Sequence, residues 1–474
     1  MEKLKPLVVD LDGTLIKSDL LIESLFLFLK SNIFNFLVFI RYLFKGKSQL
    51  KSKIASVVDI DVSVLPYNND VLDYIVLERK KGRKIILATA SNIRYANQIS
   101  DFTKAFDLVL ASDKEINLAS KVKAKRLVEQ FGEKGFDYIG NSEADIQVWE
   151  KASEAIVVNP DRGVLEKARR IANVSKIIDT RPSFLRTLVK ALRVHQWAKN
   201  VLIFVPLAAS HYLMNFEMLT TVLFAFLIFS LCASTVYLLN DLLDLEDDRH
   251  HKTKCNRPFA SGDLDVRFGI FAVPLILLAV FVLSIVLLPP NFFFVLLSYY
   301  LLTLAYSFKL KKMVMVDVIT LAMLYTVRIV AGGVVLGLEL TFWLLAFSMF
   351  IFLSLAMVKR YAELYEAKQL GLTKTRGRGY QPSDLELLSS LGTASGYLSV
   401  LVLSLYINEP LTASMYHYPT LIWAACPLLL FWISRTWIVT HRGLMNDDPV
   451  VFALKDRVSQ IVGVLFILVF WMAI

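Results

Sequence analysis

The sequence predicts a two-part chain: an N-terminal α/β domain with a helical insertion, then an all-α bundle of about nine transmembrane helices. Three observations carry that expectation. A short buried-strand pattern, Leu7-Val8-Val9, ends in Asp10-Leu11-Asp12-Gly13-Thr14, and further polar motifs at strand ends follow it in order up to Asp145. The apolar residues, 55% of the chain, gather after about residue 200. The segments between the later apolar stretches alternate between holding no Lys or Arg and holding all of them. A length of 474 residues suits two or three domains. The α/β part is expected at 1–180, with its insertion at about 19–70, and the membrane part at 181–474.

In the first part, Asp10 and Asp12 flank one residue at a strand end and precede Gly13. Next, Ile85-Ile86-Leu87-Ala88 reads as a strand that ends in Thr89. Lys123, with Lys121 as the alternative, begins a helical pattern after a loop. Tyr138-Ile139-Gly140-Asn141-Ser142 then leads to Asp145. The series resembles the four motifs of the haloacid dehalogenase (HAD) superfamily of aspartyl-nucleophile phosphatases. The resemblance implies a HAD-like Rossmannoid fold with a helical cap, and it assigns roles. Asp10 would attack phosphorus. Asp12 would protonate the leaving alcohol and then activate water. Gly13 would let the chain turn so that both face one Mg²⁺. Thr89 would bind phosphate, Lys123 would neutralise the phosphoaspartate, and Asp10, Asp145 and the Asp12 carbonyl would hold the metal. Asn141 departs from the family pattern, which has an acid there. The other reading is a degenerate HAD scaffold that serves only as a folding or docking module.

The insertion carries a helical, aromatic-rich pattern over 20–44, with Phe26, Phe28, Phe34, Phe36, Phe39 and Phe44. Lys30 and Arg41 interrupt it, so neither half reaches the ~20 apolar residues of a span. Its apolar face is expected either at the membrane or membrane domain, or packed into the α/β core. Met1 to Pro6 leads straight into the first strand pattern, so no signal peptide is expected. The α/β part is expected to close near Asp179, with Arg181-Pro182 as the joint and a basic amphipathic helix over 183–193.

From residue 201 onward nine apolar stretches are counted, near 201–214, 218–239, 268–288, 291–305, 317–337, 340–358, 389–408, 419–434 and 458–474. The basic segments lie on one side, which predicts a multi-pass inner-membrane protein whose α/β domain and charged loops face the cytoplasm. That placement also argues against nucleic acid as the reason for the net charge of +10. The three cysteines show neither metal spacing nor a disulfide framework. A transport pathway would spread charge through the bundle and show a repeat; here charge gathers at one face.

The stretch YLLNDLLDLEDDRHHKTKCNRPFASG, 237–262, follows the second apolar run. Asn240, Asp244 and Asp248 recur every fourth residue on one helix face, and Asp241 neighbours them. Acids at the end of an embedded helix are costly unless they line a wet cavity or hold a cation. Oxygen ligands at this density suit Mg²⁺, which bridges one or two carboxylates and a substrate's phosphates. The spacing resembles the first diphosphate-binding motif of the UbiA superfamily of intramembrane prenyltransferases. Its extension through Asp248, Arg249, His251, Lys254, Arg257, Pro258, Ala260 and Gly262 resembles the decaprenyl-phosphate phosphoribosyltransferase branch. So do Arg193 to Asn200, including Lys199, the segment Lys359-Arg360-x-x-Glu363, and the stretch from Arg442 to Arg457.

That resemblance implies Asn240, Asp241, Asp244 and Asp248 as Mg²⁺ ligands, with Asp241 and Asp244 essential to catalysis. The donor would be phosphoribosyl pyrophosphate and the acceptor a polyprenyl phosphate drawn from membrane lipid. Lys199, Arg249, Lys254, Arg257, Tyr306, Lys311, Asp317, Arg328, Lys359 and Arg360 are the substrate-binding candidates. Asp317 opens the place where most UbiA enzymes carry a second acidic pair, but four residues on stands Leu321. Arg328, eleven residues along, falls on roughly the same face. A buried arginine in place of an acid points to an additional phosphate. Arg376, Arg378 and Tyr380 follow in a basic loop, where ligand binding and charge bias explain them equally. Prenyl transfer from an isoprenoid diphosphate is the alternative activity, and a non-catalytic membrane scaffold is disfavoured by the density of acids.

Overall fold

A computed structural model describes residues 4–32, 35–44, 46–372, 378–409, 416–445 and 448–474. Phe34 and Arg376 lie outside the described residues. The chain separates into two compact units, Met1–Ala191 with Leu238–Ala272, and Leu192–Tyr237 with Val273–Ile474.

In the first unit six strands form one parallel sheet: β1 (Leu7–Val9), β2 (Ile85–Asn92), β3 (Leu108–Ser112), β4 (Asp137–Gly140), β5 (Ala155–Val158) and β6 (Val174–Ile178). Their order is β3-β2-β1-β4-β5-β6. β1 is central, pairing in parallel with β2 and β4, and its three residues are fully buried. A parallel sheet covered by helices on both faces needs such continuously apolar strands. The order reverses at β1, so the loops after β1 and its neighbours open a crevice at their carboxyl ends. Asp10, Thr89 and Asn141 stand there.

The insertion folds as three helices, Leu20–Ser31, Asn35–Leu43 and Lys47–Val57. Leu20, Phe28, Leu50 and Ile54 join the same buried cluster as Leu7 and Val9. Leu37 and Phe44 remain exposed, Phe44 at 86%. The insertion thus packs one face into the α/β core and leaves another apolar face open. The first unit also includes the end of the helix Phe216–Leu243, the short helix Leu245–His250, and the loop that enters the helix Val266–Leu287.

Seven helices among the described residues are long and apolar enough to cross a membrane: Phe216–Leu243, Val266–Leu287, Pro290–Phe308, Val316–Leu336, Phe342–Gln369, Pro382–Ile407 and Pro419–His441. The pair Pro449–Lys455 and Arg457–Ala473, bent by 85°, makes an eighth if it is one span. The expected stretch at 201–214 forms no helix long enough to cross a membrane. It forms a 3₁₀ segment, Val194–Phe204, and a five-residue helix, Val205–Ala209, with Pro206 in its first turn. In the second unit two buried clusters run along the helices, one around Tyr325, Met357 and Trp437 and one around Phe229, Phe292 and Tyr299.

Candidate functional site

The end of β1 delivers Asp10 and Asp12 to a cavity of about 330 Å³ in the first unit. Gly13 has φ +73°, and a Cβ there would lie 2.3 Å from Nδ2 of Asn141. The positive φ favours glycine, and any Cβ there would also push the Asn141 side chain aside. Lys123, near the start of the helix Ser120–Phe131, donates to Asp10 Oδ1 at 2.8 Å and to the Tyr138 hydroxyl at 2.8 Å. Tyr138 in turn donates to Asp145 Oδ1 at 2.7 Å. The other Asp145 oxygen accepts from the backbone N–H groups of Asn141 and Ser142 and from the Ser142 hydroxyl, each at 3.0 Å. Asp12 accepts from Leu20 N at 2.9 Å, Ser91 Oγ at 2.7 Å and Thr89 Oγ1 at 3.4 Å. Four of the residues expected from the sequence thus meet the fifth, Thr89, in one crevice.

The electrostatics suit proton and phosphoryl chemistry. Burial pushes the Asp10 carboxyl up to about 7, against the pull of Lys123. Burial, with Asp19 adding to it, raises Asp12 to about 6, where a group can both give and take a proton near neutrality. Burial works against the Lys123 ammonium, but Asp10 and Asp145 outweigh it and raise its pKa.

The acidic motif also lies in the first unit. The helix Phe216–Leu243 carries Asn240 and Asp241 in its last turn, breaks at Asp244, and resumes as Leu245–His250. The expected one-face register survives the break, since Asp244 N donates to Asn240 O and Asp248 N to Asp244 O. Asp241 and Asp248 are buried, at 2% exposure each, while Asn240 and Asp244 are half-buried. One guanidinium nitrogen of Arg257 donates to Asp248 Oδ2 at 2.6 Å and to Asp241 Oδ1 at 3.2 Å. Burial raises the Asp248 carboxyl, with Arg257 opposing. Two carboxylate oxygens converging on one cationic nitrogen mark a cation seat that fits Mg²⁺. Among the described residues no group of three or more His, Cys, Asp or Glu is gathered as a ready-made cage. Mg²⁺ asks for fewer, because water and substrate phosphate complete its shell. Arg249 points elsewhere: its two terminal nitrogens donate to the Glu23 carboxylate at 2.9 and 2.6 Å. Lys254 is exposed.

In the second unit the candidates fall into two clusters. Lys199 and Lys359 both donate to Asp448 Oδ2, at 2.7 and 3.1 Å, and the Tyr325 hydroxyl donates to Asp448 Oδ1 at 3.3 Å. Arg328 is buried beside them, its guanidinium 5.5 Å from the Tyr325 ring centre. Its Nε donates to Asn200 Oδ1 at 2.7 Å, and its terminal nitrogens to the Tyr299 hydroxyl at 3.3 Å and to the Leu324 carbonyl. The other cluster holds Asp317 and Arg360, a fully buried ion pair at 2.7 Å. Tyr380 donates to Asp317 at 2.8 Å, Arg378 donates to the Tyr306 hydroxyl at 2.8 Å, and Arg360 also pairs with Glu363. Lys311 is half-buried, and its carbonyl accepts from Arg378 at 3.5 Å.

Sequence reasoning missed several members. Ser91 and Tyr299 carry no motif signal of their own, and Asp448 lies in the 442–457 stretch, whose resemblance gives it no role. Tyr138 lies inside a motif that was read for its acids. Asp265 and Arg267 line the Asp10–Asp12 cavity from a stretch that reads only as a loop.

The UbiA prenyltransferase family matches residues 201–455. The uncharacterized protein y4nM of Sinorhizobium fredii is 39% identical over 470 residues, which are 99% of this chain and 91% of that protein. The decaprenyl-phosphate phosphoribosyltransferase of Mycobacterium tuberculosis is 32% identical over 302 residues, 62% of this chain and 97% of that one. Among solved structures, the HAD family hydrolase t0658 of Salmonella enterica serovar Typhi covers 37% of this chain and 68% of its own, at 13% identity and a TM-score of 0.27.

Proposed function

The chain belongs to the UbiA prenyltransferase family, and from that premise we propose that it is an intramembrane transferase moving 5-phosphoribose from phosphoribosyl pyrophosphate to a polyprenyl phosphate. The observation that carries this reading is the surplus of cationic side chains over carboxylates in the second unit. Lys199 and Lys359 share one carboxylate, Asp448. Arg328 is held by an amide, a phenol and a carbonyl, all neutral. Asp317 is matched by Arg360, so it does not offer the second free acid that a paired metal motif would use. Phosphate groups on both donor and acceptor answer such a surplus, and the guanidinium fork suits phosphate oxygens. The name of the mycobacterial relative supports the same choice.

Asp241, Asp244 and Asp248, with Asn240, would hold Mg²⁺ against the diphosphate. When bound, the ion draws charge from the leaving group and eases its departure. A polyprenyl phosphate oxygen bonds to the anomeric carbon, the C–O bond to pyrophosphate breaks, and pyrophosphate carries away the electron pair. The nucleophile is already anionic, so no residue need act as its base. Arg328, Lys199 and Lys359 would bind phosphate, and Arg257, which donates to Asp241 and Asp248, would stand beside the metal-holding acids. The charged loops and the α/β domain would face the cytoplasm.

The α/β domain would remove the 5-phosphate from the lipid product, with Asp10 as nucleophile, Asp12 as acid and then base, and Lys123 beside the phosphoaspartate. Purified protein given labelled phosphoribosyl pyrophosphate, a polyprenyl phosphate and Mg²⁺ should form labelled lipid. Mass spectrometry should find the dephosphorylated ribosyl lipid with the wild type and only the phosphoribosyl lipid with Asp10→Asn. Transfer of an isoprenoid group from its diphosphate, with no use of phosphoribosyl pyrophosphate, would replace this reading by prenyl transfer. A wild type that stops at the phosphoribosyl lipid would dissociate the two activities.

A further inference from the structure

The cavity that holds Asp10 and Asp12 is not built by the α/β residues alone. Its rim includes Asp265 and Arg267, which lie in sequence just before and within the first turn of the helix Val266–Leu287. The segment that carries them is fastened to the α/β domain at three further points. Arg249 and Glu23 form a buried two-pronged ion pair. Lys17 pairs with Asp263 at 3.3 Å. Gly262, at φ +72°, lets the chain pass where a Cβ would lie 2.6 Å from Lys17 Cβ. Asp265 fixes the local turn by accepting from Arg267 N at 2.7 Å. The Arg267 guanidinium pairs with Asp19 and stays half-exposed at the cavity mouth. Asp161 completes that rim; burial raises its carboxyl, while Arg181 and Arg267 pull the other way.

The floor and the rim therefore differ in chemistry. The floor offers paired acids and Lys123, the equipment for a phosphoryl group. The rest of the lining offers three carboxylates (Asp19, Asp161 and Asp265), the ammonium groups of Lys17 and Lys51, and the Arg267 guanidinium, which accept from and donate to hydroxyl groups. Among the described residues lining the cavity none is aromatic, so a stacked base has no partner there. We propose that Arg267, supplied by the loop after the acidic motif, contacts the substrate of this cavity, and that the substrate is a phosphate monoester of a polyhydroxylated alcohol. The transferase part of the sequence would then set the specificity of the phosphatase part. This rests on reading the Asp10–Asp12 cavity as a phosphohydrolase site.

The test uses full-length protein in detergent with Mg²⁺ and three esters. These are ribose 5-phosphate, the same sugar phosphate carried on a polyprenyl phosphate, and propyl phosphate, which has no hydroxyls. Arg267→Ala should raise KM for at least one of the two sugar phosphates tenfold or more, with kcat changed less than threefold. KM for propyl phosphate should stay within twofold. Which sugar ester responds tells a free from a lipid-linked substrate. Arg267→Lys should recover part of the loss. Asp19→Asn removes the ion pair but keeps the guanidinium and a capping side chain; it should leave the sugar-phosphate KM within twofold, any change through Asp12 falling on kcat for all three esters alike. If Asp19→Asn reproduces the Arg267→Ala defect, or if Arg267→Ala affects propyl phosphate equally or nothing at all, the inference is wrong. A wild type that hydrolyses none of the three would remove the phosphohydrolase reading itself, and this inference with it.

Discussion

Replacing Glu23 by leucine tests how firmly the acidic-motif segment is held to the α/β domain. In the wild type the Glu23 carboxylate takes both terminal nitrogens of Arg249, at 2.9 and 2.6 Å, and the Arg249 Nε donates to the Ala260 carbonyl at 3.2 Å. The two side chains are 3% and 6% exposed, so water cannot substitute for a lost partner. Removing one member of such a pair leaves an uncompensated buried charge and costs about 3–5 kcal/mol. If that loss falls on the docking of residues 238–272, their local opening constant rises roughly a hundred- to several-thousandfold. Replacing both members by apolar residues of similar size is close to neutral. Hydrogen exchange of the full-length protein in detergent should therefore show fast exchange in this segment for Glu23→Leu and for Arg249→Met. The double variant should return most of the way to wild type. Exchange unchanged in the single variants, or a double variant as open as the two losses added, would refute the reasoning. The same variants decide whether Arg249 also serves the substrate. A substrate ligand would make Arg249→Met lose transfer while Glu23→Leu keeps it.

Three further outcomes are expected. Asp241→Ala or Asp244→Ala should lower transfer by roughly a thousandfold or more, because a cation seat in low dielectric loses several kcal/mol with a missing charge; near-normal turnover in detergent would sink the metal assignment. Arg328→Lys should fall roughly a hundredfold in transfer, since an ammonium cannot reproduce the fork held by Asn200 and Tyr299; full turnover in Arg328→Leu would make the residue structural. Asp10 and Asp12 have folded-state pKa values of about 7 and about 6, above the ordinary carboxylate value. Their contribution to stability is therefore fully present below that ordinary value and is lost as pH rises through 6 to 7. Mg²⁺ should accordingly raise the Tm of EDTA-treated protein more at pH 8 than at pH 5. An equal shift at both pH values, or a larger one at pH 5, would contradict this.

Local pattern was enough for much of the molecule. β1 had to be a buried strand because three consecutive apolar residues run into Asp10, and a parallel sheet needs strands buried on both faces. Gly13 marked a turn because glycine takes a φ of +73° without the strain that a Cβ brings. The long apolar helices announced themselves by hydropathy over about one span length. The stretch at 201–214 is apolar but forms no long helix, because hydropathy sums over a window and does not sense Pro206 or the 3₁₀ geometry beside it. The acids at 240–248 kept their helical register, which periodicity alone predicts.

What the sequence determined, then, is whatever depends on neighbours a few residues away: strand ends, helix faces, and the order of the motifs. Only the tertiary structure decided which charges meet. Glu23 and Arg249 are 226 residues apart, and Lys199 and Asp448 are 249 apart. No local spacing links such pairs. Arg249, Lys199 and Lys359 look alike in sequence, as basic residues at helix ends. Folding matches Arg249 with a carboxylate of its own and leaves Lys199 and Lys359 to share one. The physical reason is that a buried charge must be compensated by whatever the fold brings within about 4 Å, and that distance is set by packing rather than by order along the chain.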